Sequence, residues 1–118
     1  MQIVTTEISL QELQEIAKTG FGNLVKAVVD IERKIMAISG ELHADEEQLL
    51  LENDSQQKDL WGINLYPDSS NDELIEFDSV INLRPSQNNR SRGVDSPQIQ
   101  QKIKDVVYSL IKKWPTNT

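Results

Sequence analysis

The sequence predicts an α+β fold: a two-layer domain with a mainly antiparallel sheet of four or five strands and its helices on one face. Two observations point there first. The segments 24–31 and 34–38 are close enough in the chain to pair as a hairpin, and so are 60–66 and 74–83. The third observation is the element order, β-α-ββ-α-ββ-α, which places helices between hairpins rather than between successive parallel strands. At 118 residues the chain has the length of one domain, expected to span 1–118.

Residues 2–5 alternate weakly and predict a short strand. Ser9 followed by Glu12 forms a capping box, with Ile8 and Leu13 placed as a hydrophobic staple. Leu10, Leu13, Ile16 and Ala17 share a helix face, and Gly20 suits the stop, so a helix ends near residue 19. In 24–31 Val25, Ala27, Val29 and Ile31 alternate with Leu24, Lys26, Val28 and Asp30. Asp45 is the expected cap of a second helix, with Gln48 its partner, Glu46 and Glu47 in the first turn, and Leu49, Leu50 and Leu51 buried.

The strand 60–66 puts Trp61, Ile63 and Leu65 on one face. The strand 74–83 does the same for Ile75, Phe77, Ser79, Ile81 and Leu83. Their opposite faces carry Asn64, Tyr66, Glu76, Asp78, Val80 and Asn82, and residues 67–72 form the loop between them. Residues 84–95 have no regular period. Ser96 caps the last helix and Pro97 fits its first turn. Ile99, Ile103, Val106, Val107, Leu110, Ile111 and Trp114 then make one apolar stripe, ended by Pro115.

Composition excludes several classes of function. With no cysteine there are no disulfides, thiol nucleophiles or cysteine-held metals. Apolar runs reach four residues, as in Ile35-Met36-Ala37-Ile38, against the 20 or so of a membrane helix. The start of the chain lacks the pattern of a signal peptide, so a cytoplasmic setting with no membrane partner is expected. A net charge of −7 argues against a broad nucleic-acid surface. That average hides a division: residues 1–40 carry −1, residues 41–83 carry −11, and residues 84–118 carry +5. No P-loop, dinucleotide fingerprint, nucleophile elbow or zincin helix is present.

Three stretches together carry a family resemblance. They are Gly40-Glu41-Leu42-His43-Ala44-Asp45-Glu46-Glu47, then Asp59-Leu60-Trp61-Gly62-Ile63-Asn64-Leu65-Tyr66-Pro67, and the run from Ile81 through Asn89-Arg90-Ser91-Arg92-Gly93-Val94. In this order the chain resembles a small prokaryotic family of uncharacterised domains over nearly its whole length. The resemblance implies a stand-alone domain in a prokaryotic cytoplasm and brings no reaction or catalytic residue. The family pattern has Gly where this chain has Lys34 and Ser39.

Three groups of residues could carry chemistry. The loop 84–92 holds Arg84, Ser86, Asn89, Arg90 and Arg92 with no acid, and leads to a helix start at Ser96. Arginine forks and helix N–H groups suit phosphate or carboxylate oxygens. The plain alternative is that these arginines pair with the acidic middle of the chain. Asp95 also stands close to any bound anion and counts against the site. Glu41, His43 and Asp45, two apart in an extended segment, could hold a divalent metal, with Asp30 or Asp78 completing the set. Capping explains Asp45 without a metal. Glu76 and Asp78, with Asn64 and Asn82, could do acid–base work on one sheet face or form a solvated one.

The favoured expectation is a non-catalytic binding module that takes a small anion (a nucleotide, a phosphate group or an acidic peptide) on the Arg-rich loop and needs no cofactor. Two others stand beside it. One is a metal-dependent hydrolase using Glu41, His43 and Asp45. The other is a structural or regulatory module with a protein partner, including a homodimer joined through opposite charges.

Overall fold

The computed structural model of the chain describes residues 1–69 and 73–112. Its elements are β1 (Gln2–Val4), β2 (Ile8–Ser9), α1 (Leu10–Thr19), β3 (Val25–Asp30), β4 (Ile35–Ile38), α2 (His43–Leu51), β5 (Leu60–Leu65), β6 (Ile75–Glu76), α3 (Pro97–Leu110) and β7 (Ile111–Lys112). β1, β4, β3, β5 and β6 lie side by side in that order as an antiparallel five-stranded sheet. With three helices against it, the fold is α+β. Among the described residues no helix is long and apolar enough to cross a membrane.

The helices do not all lie on one face, as the sequence suggested. α1 and α3 bury Leu13, Ala17, Ile103, Val107 and Leu110 against Val25, Ala27, Val29, Met36, Ile38, Trp61, Ile63 and Leu65. α2 packs on the opposite face, where Leu50 meets Val28, Ile35, Ala37 and Leu60. The cause is legible in the strands themselves. The second face of the sheet is apolar over most of its length, so leaving it in water would expose a large patch. Of its polar residues, Lys26 and Asn64 stand side by side at one end and Asp30 lies at the other.

Ser9 and Ser96 cap their helices as expected, accepting from the N–H groups of Glu12 (3.0 Å) and Ile99 (3.3 Å). α2 differs. It starts at His43, two residues before the expected cap, and Leu42 precedes it with no side-chain cap. Asp45 therefore lies in the first turn, where its charge meets the helix dipole. α3 ends at Leu110 rather than running on through the stripe. Ile111 turns extended and pairs in parallel with Ile8, forming a small ribbon of β2 and β7. Trp114, the last residue of the stripe, lies outside the described residues.

The hairpin β3–β4 turns on Asp30, a buried carboxylate that accepts from the N–H groups of Glu32 (3.0 Å) and Arg33 (2.9 Å) and from Ser55 Oγ (2.7 Å). Lys34 leaves the turn at φ +60° and Ser39 leaves β4 at φ +71°. Both are left-handed, a conformation glycine adopts without steric penalty.

The strand expected over 74–83 is the largest departure. Only Ile75–Glu76 pairs with β5, and Val80–Asn82 forms a single tight helical turn instead. Beyond that short pairing, the free edge of β5 is closed by side chains. Gly62 N–H donates to Asn82 Oδ1 (2.9 Å), and Asn82 Nδ2 donates back to the Gly62 carbonyl (3.0 Å). The carboxamide takes the place of a neighbouring peptide group. Arg84 does likewise with the Leu60 carbonyl. Glycine is required here, because a Cβ at Gly62 would lie 2.6 Å from the Ser79 side chain.

Two outcomes follow. Asn82→Ala leaves Gly62 N–H buried without an acceptor and should lower unfolding free energy by about 2–4 kcal/mol; urea denaturation showing a loss below 1 kcal/mol would contradict the edge-closing role. Lys34→Gly should raise stability by about 0.5–1 kcal/mol, because the left-handed turn no longer strains a side chain; an unchanged or lower melting temperature would count against it.

Candidate functional site

The Arg-rich loop turns inward. Arg84 is buried, and its guanidinium donates to the carbonyls of Gln57 (2.8 Å), Ile81 (2.9 Å) and Leu60, while lying 4.6 Å from the centre of the Trp61 ring. Burial lowers its proton affinity from the usual value. Asn89 is also buried, and its Nδ2 donates to the carbonyls of Asn82 (2.8 Å), Ser91 (3.1 Å) and Gly93 (2.9 Å). Arg92 pairs with Asp78 at 2.8 Å on the surface. Ser86 and Arg90 are exposed, and the Arg90 side chain makes no ion pair with a described residue. Asp95 turns back onto this loop. Its carboxylate accepts from Arg90 N–H and the Ser91 hydroxyl, and those bonds hold its pKa below the usual value.

Glu41, His43 and Asp45 are not gathered either. The helix starting at His43 sends His43 inward and leaves Glu41 and Asp45 exposed. Among the described residues no group of three His, Asp or Glu is arranged to hold a metal ion. Of the outer shell considered for it, Asp30 is occupied by its own turn and Asp78 by Arg92.

What the fold does bring together is a polar cluster where α2 begins, over the Lys26–Asn64 end of the sheet. Counting from His43, the inward positions of α2 are His43, Glu46 and Leu50, the spacing of one helical face. His43 Nε2 lies 2.8 Å from the Ile63 carbonyl, so that nitrogen carries the proton. Burial pushes its pKa down, and Lys26 adds to that. Neutral imidazole is then the form at neutral pH. Asn64 Nδ2 and the Tyr66 hydroxyl both donate to Glu76 Oε1, each at 2.9 Å. The bond to Glu76 raises the Tyr66 pKa.

Glu46 is the unusual member. It is fully buried, with Oε2 accepting from Gly40 N–H at 2.8 Å. Oε1 is buried with no hydrogen-bond partner. Burial pushes its pKa up to about 9, against the opposing pull of the Gly40 bond and Lys26. It is a neutral acid at neutral pH.

A cleft of about 510 Å³ opens at this end, between the last turn of α1, the start of β3 and the link from β4 to α2. Ile16, Phe21 and Leu24 give it apolar walls, and Lys26, Ser39 and Glu41 give it polar groups. Phe21 is half-exposed, and the Lys26 ammonium lies 4.9 Å from the centre of its ring. Lys26 forms no ion pair with a described residue. It is the basic residue of the cleft, beside an acid and an imidazole that are both uncharged at neutral pH.

Sequence reading missed Lys26 and Glu46. Lys26 was visible as the polar interruption among Leu24, Val28 and their neighbours. Glu46 was read as a first-turn acid, and it is one; what that reading left out is that Glu46 also lies one turn before Leu50, on the inward face.

A family model described as "Protein of unknown function (DUF5674)" matches residues 2–110. No curated protein matches the chain, and no solved structure does.

The buried acid gives the cluster a measurable signature. The unfolded chain gives up the Glu46 proton near 4.5, whereas the folded chain keeps it to about 9. The stability this proton supplies is complete below the lower value and is lost as pH rises through the window between the two. Glu46→Gln removes that slope, so the variant should gain on the parent by roughly 2–4 kcal/mol between about pH 5 and about pH 8. Denaturation at both pH values checks this; a constant difference would show that Glu46 ionises normally.

Proposed function

We propose that this chain, which belongs to the DUF5674 family of proteins of unknown function, acts as one domain that binds a small organic anion without transforming it. The binding place is the cleft at the Lys26 end of the sheet, and the ligand carries one anionic group on an apolar or aromatic body.

The observation that carries this reading is the half-buried Lys26, its ammonium unpaired with any described acid, at a cleft of about 510 Å³ with apolar walls. That volume is the size of a small-molecule site. A cation in partly dry surroundings attracts an anion more strongly than one in open water. Phe21 supports the aromatic part of the ligand, since its ring already stacks under a cation and half of it is exposed. The ligand remains an anion, as the sequence suggested, but an organic one with an apolar body rather than a nucleotide, phosphate group or acidic peptide, and its proposed place is the cleft instead of the loop 84–92. In that loop Arg84, Asn89 and Arg92 are committed to the protein's own oxygens, and Asp95 takes the Arg90 N–H and the Ser91 hydroxyl. Metal-dependent hydrolysis through Glu41, His43 and Asp45 has no geometric support.

Calorimetric titration with benzoate, phenyl phosphate and inorganic phosphate tests the reading. Benzoate and phenyl phosphate should bind in the micromolar to millimolar range, more tightly than phosphate alone, which lacks the apolar body. Lys26→Met should weaken them by about tenfold, or ~1.4 kcal/mol, while Arg90→Ala leaves them unchanged. Equal binding by Lys26→Met and the parent, or no binding of either aromatic anion, would rule the cleft out.

A further inference from the structure

We infer that Lys26 is shared between two competing partners, so that the cleft accepts an anionic group only while the buried Glu46 carboxyl holds its proton. This rests on the cleft being a binding site, as proposed above, and adds its regulation.

The arrangement of groups carries the inference. Glu46 Oε1 is sealed from solvent with no hydrogen-bond partner, so a charge arriving on the carboxylate has nothing beside it to accept from but Gly40 N–H at Oε2. Gly40 and Lys26 both line the cleft, which puts the carboxyl one peptide group behind its wall. The wall fits closely there: a Cβ on Gly40 would lie 2.7 Å from the Glu46 side chain. The charged groups facing Glu46 are Lys26 from β3, the Met1 amino group ahead of β1, and Asp45 from its own helix. His43 faces Lys26 from α2, Asp78 faces His43 from beyond β6, and Glu41, ahead of α2, lines the cleft together with Lys26. Among these, Lys26 is the side-chain cation that attracts the ionised form of Glu46.

The direction of the effect follows. At neutral pH Glu46 is neutral and the Lys26 ammonium is open to a ligand in the cleft. Once Glu46 ionises, near pH 9, a poorly hydrated carboxylate draws the ammonium toward it. The fraction of molecules able to bind an anion falls, and apparent affinity falls with it. Linkage makes this reciprocal: a bound anion holds the proton on Glu46 more firmly, so binding near that pH takes a proton up.

Benzoate is the probe, since its own charge is constant above neutral pH. Its affinity for the parent protein should drop about fourfold between about pH 7 and about pH 9.5, following the loss of protonated Glu46. For Glu46→Gln the drop should stay below about 1.5-fold. A carboxyl ¹³C titration of Glu46 in the parent protein gives a second readout that needs no variant: saturating benzoate should move its midpoint upward. Benzoate binding at neutral pH with the same pH dependence in both proteins, or with an unmoved Glu46 midpoint, overturns the sharing of Lys26 and leaves the cleft standing as a binding site. No benzoate binding at neutral pH overturns both.

Discussion

The architecture depends on how the edge of β5 is closed. A strand edge buried without partners leaves peptide groups unsatisfied, each costing about 1–3 kcal/mol. Here one carboxamide, that of Asn82, meets both the N–H and the carbonyl of Gly62. Its third bond, to the Arg92 carbonyl at 3.0 Å, ties the far side of the loop to the same point. Asn89 extends the network by joining Asn82, Ser91 and Gly93. Together with the Arg84 bond to the Leu60 carbonyl and the burial of Val94, that pair of asparagines holds the long segment between β6 and α3 to the sheet. Its own backbone contributes few regular bonds.

That dependence explains which parts of the fold were legible in the sequence. The antiparallel sheet, the hairpin β3–β4 and the capped starts of α1 and α3 follow from local chemistry: alternation, a serine before a helix, a proline in its first turn. Residues 77–83 alternate as well as any strand, yet they do not pair. What decides their course is the distant Gly62, whose missing side chain lets Ser79 approach. No local pattern records such a contact. The second face of the sheet was misjudged for a related reason. Asn64, with Glu76 and Asp78, looked like part of a solvated surface, although Val28, Ala37 and Leu60 on the same face are covered by α2. Of the site, the residue types were visible, but the grouping was not. Glu46 stands four residues before Leu50, so the two share a face whichever residue starts the helix, and reading Glu46 only as a partner of the helix dipole hid its burial.

The charge distribution acquires a different meaning in three dimensions. The middle of the chain, with its −11, contributes Glu46 and Glu47 from α2 and Glu76 and Asp78 beyond β5. Around Lys26 this acidity is partly muted, because Glu46 is held neutral and Glu76 is engaged with Asn64 and Tyr66. The basic end of the chain does not supply a complementary surface through its loop. Arg84 lies against Trp61 and three carbonyls, where it replaces missing backbone partners. A guanidinium suits that task because its rigid fork reaches several acceptors at once.

The parallel ribbon of β2 and β7 bears on how the chain folds. Ile8 and Ile111 pair across about a hundred intervening residues, whereas β3 and β4 meet across a four-residue turn. Closing a loop of that length carries an entropy penalty that grows slowly with length but must be met before the contact gives anything back. The hairpin can therefore form early and the ribbon late. During synthesis α1 has no clip at its base until Ile111 has left the ribosome. Until then the apolar face of the sheet that α3 will cover stays open, which makes this interval the one in which the nascent chain is exposed to aggregation.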